Sequence, residues 1–440
     1  MPCILSAFST QSLPVALAPT PARLSPTLRY VIALLAISVF INYIDRSNLS
    51  IAAPLLKDEL RLSASRLGIL LSAFFWTYAG CQLLAGWLVD RFDVKYVFAI
   101  GFLLWSAATA ATGLLHGFGA LVAVRVLLGA GESVAYPSYS KIIATHLPEQ
   151  RRGIANAFIA SGLSLGPAVG LLFGAALIAK FGWRPFFIAL GVVSLLWLLP
   201  WFAWMPAAPV KSASKVQQGF AAILKQRSAW GTCLGLFCAN YFLYFILTWL
   251  PFYLVRERGF SLPQMARVGG GFFVVSAISS TLGGWLSDRW IESGASHTRV
   301  RKGLTIAAAF FCGLFLACSV VAPDLGCIFC LLLTAAAFGV GAANLWAITQ
   351  RLAGAQAVGR WCGIQLFVGN LSGVVAPALT GYLVDRTTHF FWPFLVTSAI
   401  LWIGALSWLI VVGTIEPVSW PAIEMDLRLS SKTDLTHISV

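Results

Sequence analysis

Gly86-Trp87-Leu88-Val89-Asp90-Arg91 closes the second long apolar segment of this chain, and Gly284-Trp285-Leu286-Ser287-Asp288-Arg289 closes the eighth. The two hexapeptides differ only at Val89 and Ser287. The same words at the same segment end, six segments apart, mark a parallel internal repeat. Such halves surround a central path with a binding site near the bilayer midplane. A helix needs about 20 apolar residues to cross the hydrocarbon core. Windows of that kind fall at 29–54, 66–89, 95–115, 118–143, 152–178 and 184–205. They resume at 231–255, 267–288, 303–322, 325–350, 358–384 and 391–414. The sequence therefore reads as an all-α membrane protein, with twelve transmembrane helices in two six-helix bundles related by a pseudo-two-fold axis. The domains are a disordered tail at 1–28, a first bundle at 29–205, a linker at 206–230, a second bundle at 231–414 and a tail at 415–440. The linker carries Lys211, Lys215, Lys225 and Arg227 and is the only long internal polar stretch.

Composition agrees. Of 440 residues, 59% are hydrophobic and only 10% charged, against about 25% charged in a soluble protein. The net charge of +14 follows from membrane topology and does not point to nucleic acid. With both termini placed in the cytoplasm, 19 basic residues face that side and nine face the other, the bias expected of inward-facing loops. Met1 to Ala22 holds no Lys or Arg, so the basic start of a signal peptide is missing and a disordered cytoplasmic tail is expected. The nine cysteines lie mostly in apolar runs and read as small hydrophobes. Cys327 and Cys330 form a lone CxxC without a second pair, so no metal and no cofactor is expected.

Asp45 and Arg46 interrupt the first apolar segment, and Arg125 and Glu132 interrupt the fourth. An ionised side chain at the bilayer centre costs at least ~2.5–3.5 kcal/mol on insertion scales and is a functional site by default. Arg125 and Glu132, seven residues apart, fall within about 20° of one helix face. Asp45 and Arg46 differ by about 100° and cannot point the same way. Two pairings follow. In the first, Asp45 meets Arg125 while Arg46 projects into the central cavity; in the second, Arg46 meets Glu132. Arginine keeps its charge, so Asp45, Glu132 and Arg125 are expected to form the proton-coupling set. Protonating an acid frees positive charge for an incoming anion, and proton and anion then favour each other's binding. A buried ionic staple is the competing reading.

Gly86-Trp-Leu-Val-Asp90-Arg91-Phe-Asp93-Val-Lys95 resembles the loop between helices 2 and 3 of the major facilitator superfamily, with Asp93 where the usual pattern has Gly. Leu147-Pro148-Glu149-Gln-Arg151-Arg152-Gly153 resembles the superfamily's loop before helix 5. Asn42-Tyr43-Ile44-Asp45-Arg46-Ser47-Asn48, the pair Arg125 and Glu132, and Gly369-Asn370-Leu-Ser-Gly373-Val-Val-Ala-Pro377 resemble the anion:cation symporter branch. The resemblance implies the major facilitator fold and proton-driven uptake of sugar acids or other organic anions. Gly162-Leu-Ser-Leu-Gly166-Pro167-Ala-Val-Gly170 resembles a pattern found in antiporters of the superfamily, with close helix packing as the plainer reading.

Gly86, Asp90, Arg91, Lys95, Glu149, Arg152, Asp288 and Arg289 are expected to act as a conformational latch at cytoplasmic helix ends. The second half offers only neutral groups: Tyr241, Tyr244, Thr248 and Trp249 in helix 7, Asn344, Trp346, Thr349 and Gln350 in helix 10, and Gln365 and Asn370 in helix 11. Arg46, Tyr43, Tyr78, Trp346, Gln365 and Asn370 are the expected substrate contacts. The expected protein is a proton-coupled symporter of a small organic anion, preferably an aldonate, aldarate or uronate. Its partners are the lipid bilayer and that anion, and it is a monomer in a bacterial inner membrane, not an enzyme. An anion exchanger or facilitator is the first alternative and a polytopic membrane enzyme the remote one.

Overall fold

The computed structural model describes residues 25–147, 159, 162–163, 165–206 and 220–420, apart from the side chains of Leu83, Asp90, Ala144, Ala355 and Gln356. Its elements are, in order, α1 (Pro26–Glu59), α2 (Ala64–Arg91), α3 (Val94–Thr112), α4 (Phe118–Ile143), α5 (Leu165–Phe181) and α6 (Trp183–Trp204). Then come α7 (Arg227–Arg256), α8 (Leu262–Glu292), α9 (Thr298–Val321), α10 (Asp324–Gly354), α11 (Ala357–Thr387) and α12 (Phe391–Val411). Ten of these, among the described residues, are long and apolar enough to span a bilayer. The 28-residue α2 and the described part of α5 complete the twelve.

Local chemistry sets the ends. Ser25 accepts the N–H of Leu28 and Pro26 opens the first turn, so α1 begins three residues before the apolar window. Ser63 caps α2, and Ser261 with Gln264 forms a capping box on α8. Asp93, the departure from the superfamily pattern, caps α3 by accepting the N–H of Lys95 at 2.8 Å. Gly354 separates α10 from α11 at φ 60° and ψ 177°, a conformation that glycine alone adopts at little cost. The linker is shorter than expected: Phe220–Leu224 is helical and α7 starts at Arg227. The start of the expected C-terminal tail is docked, since Val418 N–H donates to Leu352 O at 2.9 Å and the Trp420 indole to Ala353 O at 3.0 Å.

The halves repeat their fastenings. The ammonium of Lys95, at the start of α3, donates to Phe202 O and Met205 O at 3.0 and 2.9 Å. That of Lys302, near the start of α9, donates to Val412 O and Gly413 O at 2.6 and 3.2 Å. Each lysine thus satisfies orphan carbonyls where the last helix of its half ends. At the other end Arg184 reaches Gly113 O and Leu115 O, and Arg258 reaches Ser319 O, Val320 O and Ala322 O.

The two ends of the molecule differ. At the end opposite the termini, the Asp385 carboxylate of α11 accepts the N–H groups of Ala64 and Ser65 at 2.8 and 2.7 Å, which caps α2 from the other half. Arg256 of α7 bonds Asp58 and Pro54 O of α1. Gly68 and Gly381 let α2 and α11 touch there, since a Cβ on Gly68 would lie 2.5 Å from Pro377 O. Beyond the level of Gln82 and Asn370, toward the terminal end, no hydrogen bond links the halves among the described residues. Around Gly86, Gly359 and Gly363 a Cβ would meet open space. Among the described residues, the hydrogen bonds that join the halves gather at the end opposite the termini, which is the sealed one.

Candidate functional site

The site starts from the way α1 is seated. Gly162, Gly166 and Gly170 of the fifth segment lie against Phe40, Tyr43 and Ser47, and a Cβ on Gly166 would come 2.6 Å from the Cβ of Tyr43. The glycine row that resembles an antiporter pattern is thus a packing surface that brings α1 close. It fixes the height at which Tyr43, Asp45 and Arg46 enter the bundle. Gly129 plays the same part between α4 and α2, where a Cβ would collide with Phe74 O.

All four charged residues are buried. Arg46 Nε donates to Glu132 Oε2 at 2.9 Å. The favoured expectation that Asp45 pairs with Arg125 does not hold. Asp45 lies next to Arg125 and Thr109, yet neither of its oxygens has a hydrogen-bond partner among the described residues. Arg125 instead sets its guanidinium 5.4 Å from the centre of the Phe74 ring, and its Nε is also unbonded. The physical reason is the geometry of adjacent residues on one helix. Arg46 takes the carboxylate of Glu132, and Asp45, about 100° away, is left facing α3 and α4.

Arg46 also projects into the cavity, so the two sequence alternatives merge. Its guanidinium lies 4.4 Å from the centre of the Tyr78 ring and 4.9 Å from those of Tyr43 and Phe74. All three rings lie within cation–π reach of it. Arg46 Nη2 and Glu132 Oε1 have no partner among the described residues. The cavity between the halves, of about 620 Å³, is lined by Arg46, Tyr43, Tyr78, Trp346 and Asn370, all anticipated from sequence.

Gln365 is placed elsewhere. It is fully buried between α7 and α10, accepting from the Thr349 hydroxyl at 2.9 Å and donating to Thr232 O at 3.2 Å. Both ends of its amide are used in holding α11 to its neighbours, so it has nothing to offer a solute. Tyr241, Thr248, Trp249, Asn344 and Thr349 likewise lie off the cavity wall. Sequence reading missed Gln82, Tyr136 and Asn240, which do line it. Gln82 accepts the amide of Asn370 at 3.2 Å, and Asn370 accepts the hydroxyl of Tyr244 at 2.7 Å, a chain that crosses from α2 to α11 and α7. Gln82 could have been found as the one polar residue a single helical turn beyond Tyr78.

Of the expected latch, Glu149 and Arg152 lie outside the described residues, as does the side chain of Asp90. Arg91 packs on Trp87, Arg289 on Trp285, and Asp288 bonds Arg301 at 2.7 Å. Each of these, like Lys95, is held within its own half. A third copy of the hexapeptide, Gly381-Tyr-Leu-Val-Asp385-Arg386, went unread in the sequence. It differs from residues 86–91 only at Tyr382, and its aspartate makes the cross-half cap at the sealed end.

Residues 35–377 match the Major Facilitator Superfamily. The chain is 32% identical to a probable sulfoacetate transporter of Cupriavidus necator over 88% of this chain and 94% of that one. It is 30% identical to the hexuronate transporter of Bacillus subtilis, over 88% and 94%, and to a D-galactonate transporter of Escherichia coli, over 89% and 97%. In fold it is similar to a bacterial homologue of the human lysosomal transporter Spinster, crystallised in an inward-facing, unoccupied conformation. That likeness has a TM-score of 0.77 at 18% identity, covering 89% of this chain and 98% of the other. A twelve-helix bundle pair with a charged cavity at its centre, and these relatives along nearly its whole length, make this chain a membrane transporter of the Major Facilitator Superfamily, in the branch that holds these anion transporters.

Proposed function

We propose that the protein carries a small organic anion, such as a sugar acid, together with a proton across a bacterial inner membrane by alternating access, as a monomer with both termini in the cytoplasm. The observation that carries this reading is the Arg46 guanidinium on the cavity wall, which holds Glu132 through Nε while Nη2 has no partner among the described residues. A planar guanidinium suits a carboxylate or sulfonate through paired N–H donors. When the anion takes one edge of Arg46, Glu132 loses part of its counter-charge and takes up a proton in exchange. Asp45 has no hydrogen bond to give up on protonation. Asp45 and Glu132 are the two carboxylates proposed to carry the proton.

With the termini in the cytoplasm, the sealed end faces outward and this conformation is inward-open. Alternation then needs the contacts of Asp385 and Asp58 to open while the latch around Gly86, Asp90, Arg91 and Lys95 engages. The test is uptake of a labelled sugar acid or sulfonate into proteoliposomes with an imposed proton gradient. An inwardly directed gradient accelerates uptake by the parent protein. Asp45→Asn and Glu132→Gln lose uphill accumulation yet keep exchange of labelled for unlabelled solute. Uptake indifferent to the gradient in the parent protein would identify an exchanger or facilitator instead.

A further inference from the structure

The cavity does not stop at the midplane. From Arg46 it continues sideways into the second bundle, as far as Cys312 on α9 and Leu401 on α12. The two ends of this one space have different chemistry. At the Arg46 end stand a cation, the four tyrosines Tyr43, Tyr78, Tyr136 and Tyr139, Ser140 and the Gln82 amide. The far end is walled by Leu243, Ala308, Cys312, Phe338, Leu345 and Leu401. Ala308 on α9 and Gly341 on α10 both line it and bring the two helices into close contact at its back, since an added Cβ on Gly341 would come 3.1 Å from the Ala308 Cβ. Some of the polar groups nearby are committed. The Thr305 hydroxyl bonds Arg301 O at 2.8 Å within its own helix, and Tyr244 is bonded to Asn370. Asn240, Ser276, Ser280 and the indoles of Trp346 and Trp408 are the other hydrogen-bonding side chains that the second half brings to the cavity.

A polyhydroxylated chain laid along this path would leave hydroxyls without partners as it entered the chamber, which is unfavourable for each one buried. An apolar group would lose water there at no such cost. We infer that the preferred solute is an amphipathic anion, a carboxylate or sulfonate held at Arg46 whose aromatic or aliphatic body enters the chamber between α7, α9, α10 and α12. This rests on the anion-transport reading above and narrows its substrate class away from sugar acids.

Calorimetric titration of the full-length purified protein tests it with three probes: 3-phenylpropanoate, propanoate and D-gluconate. The expected result is that 3-phenylpropanoate binds at least about tenfold more tightly than D-gluconate, the scale on which a few buried methylenes discriminate. Ala308→Leu, which fills the chamber, weakens 3-phenylpropanoate by about tenfold and propanoate by less than about twofold. D-gluconate binding as tightly as 3-phenylpropanoate in the parent protein overturns the inference, and that comparison needs no variant to fold. Equal weakening of propanoate and 3-phenylpropanoate by Ala308→Leu also overturns it. If D-gluconate binds in a manner lost in Arg46→Ala while 3-phenylpropanoate does not bind, the chamber idea falls and the anion-transport reading stands. If none of the three binds, both fall.

Discussion

The two halves of this protein are built alike and furnished differently. Lys95 and Lys302 fasten corresponding helix ends, as Arg184 and Arg258 do at the other side. The walls they support share little. The first half brings Asp45, Arg46, Arg125 and Glu132 into its interior, whereas the second faces the cavity with Tyr244, Trp346, Asn370 and an apolar recess. The seams between the halves are unequal too. Where α11 meets α2, a carboxylate from one half caps a helix of the other. Where α5 meets α8, Leu171 and Leu172 pack on Gly269 and Gly270, and α8 caps itself with Ser261 and Gln264. Duplication supplied a symmetric frame; the chemistry and the seal each reside on one side of it.

The largest effect is expected from removing the charge that makes the walls unlike. Arg46→Ala leaves Glu132 buried without its partner. Breaking one side of a buried pair costs about 3–5 kcal/mol, enough to reduce uptake more than about a hundredfold. Arg46→Lys keeps the charge but loses the planar fork, so recovery is partial. Asn370→Ala, on the neutral wall, breaks the bonds to Gln82 and Tyr244 and removes one neutral hydrogen-bonding contact to the solute, about 1 kcal/mol, so it is expected to raise KM roughly fivefold. Initial uptake rates across a range of solute concentrations separate the two. Equal losses in Arg46→Ala and Asn370→Ala would erase the distinction between the walls.

That contrast was visible in sequence where it rested on rare events and hidden where it rested on common ones. An ion in a run of Leu, Ala and Val is conspicuous, so Asp45, Arg46, Arg125 and Glu132 marked themselves, and the repeated hexapeptide marked the two halves. Which acid meets which arginine depended on α1's rotation, set by Gly162, Gly166 and Gly170 packing against it. That rotation lies in the tertiary structure. Gln365 and Asn370 are both amides on α11, five residues apart, and only their neighbours decide that one is a strut and the other a wall. Asp385 escaped notice because an acid at a helix end is ordinary, and its partner is the start of a helix some 320 residues away in the chain.

A middle-sized effect is expected at the sealed seam. Asp385→Ala removes the cross-half cap of α2, and loss of a capping side chain costs about 0.5–2 kcal/mol. The equilibrium between the ends shifts by the same amount, so the population open at the Asp385 end rises about 2- to 30-fold. Asp385→Asn keeps one acceptor and falls between. Electron-electron distance measurements between spin labels on the two halves at that end read the change. The reference is the removal of the self-contained cap on α8, Ser261→Ala, which has no reason to move the halves apart. A distance distribution that shifts equally in Asp385→Ala and Ser261→Ala would show that the seams are equivalent after all.

The smallest effect sharpens the comparison by testing where the halves agree. A cation bonded to the last carbonyls of a helix contributes about 0.3–1 kcal/mol, so Lys95→Ala and Lys302→Ala should each lower the melting temperature of the purified protein by only about 1–3 °C. If the two lysines are merely paired fastenings, the two drops match and uptake falls in proportion to folded protein. Lys95 also belongs to the segment that must approach the other half when the open end closes, and Lys302 does not share that sequence. Lys95→Ala is therefore expected to slow uptake beyond what its melting temperature explains, while Lys302→Ala does not. Specific activity per folded molecule, measured for both in the same lipid, decides between a shared structural duty and an added one at Lys95.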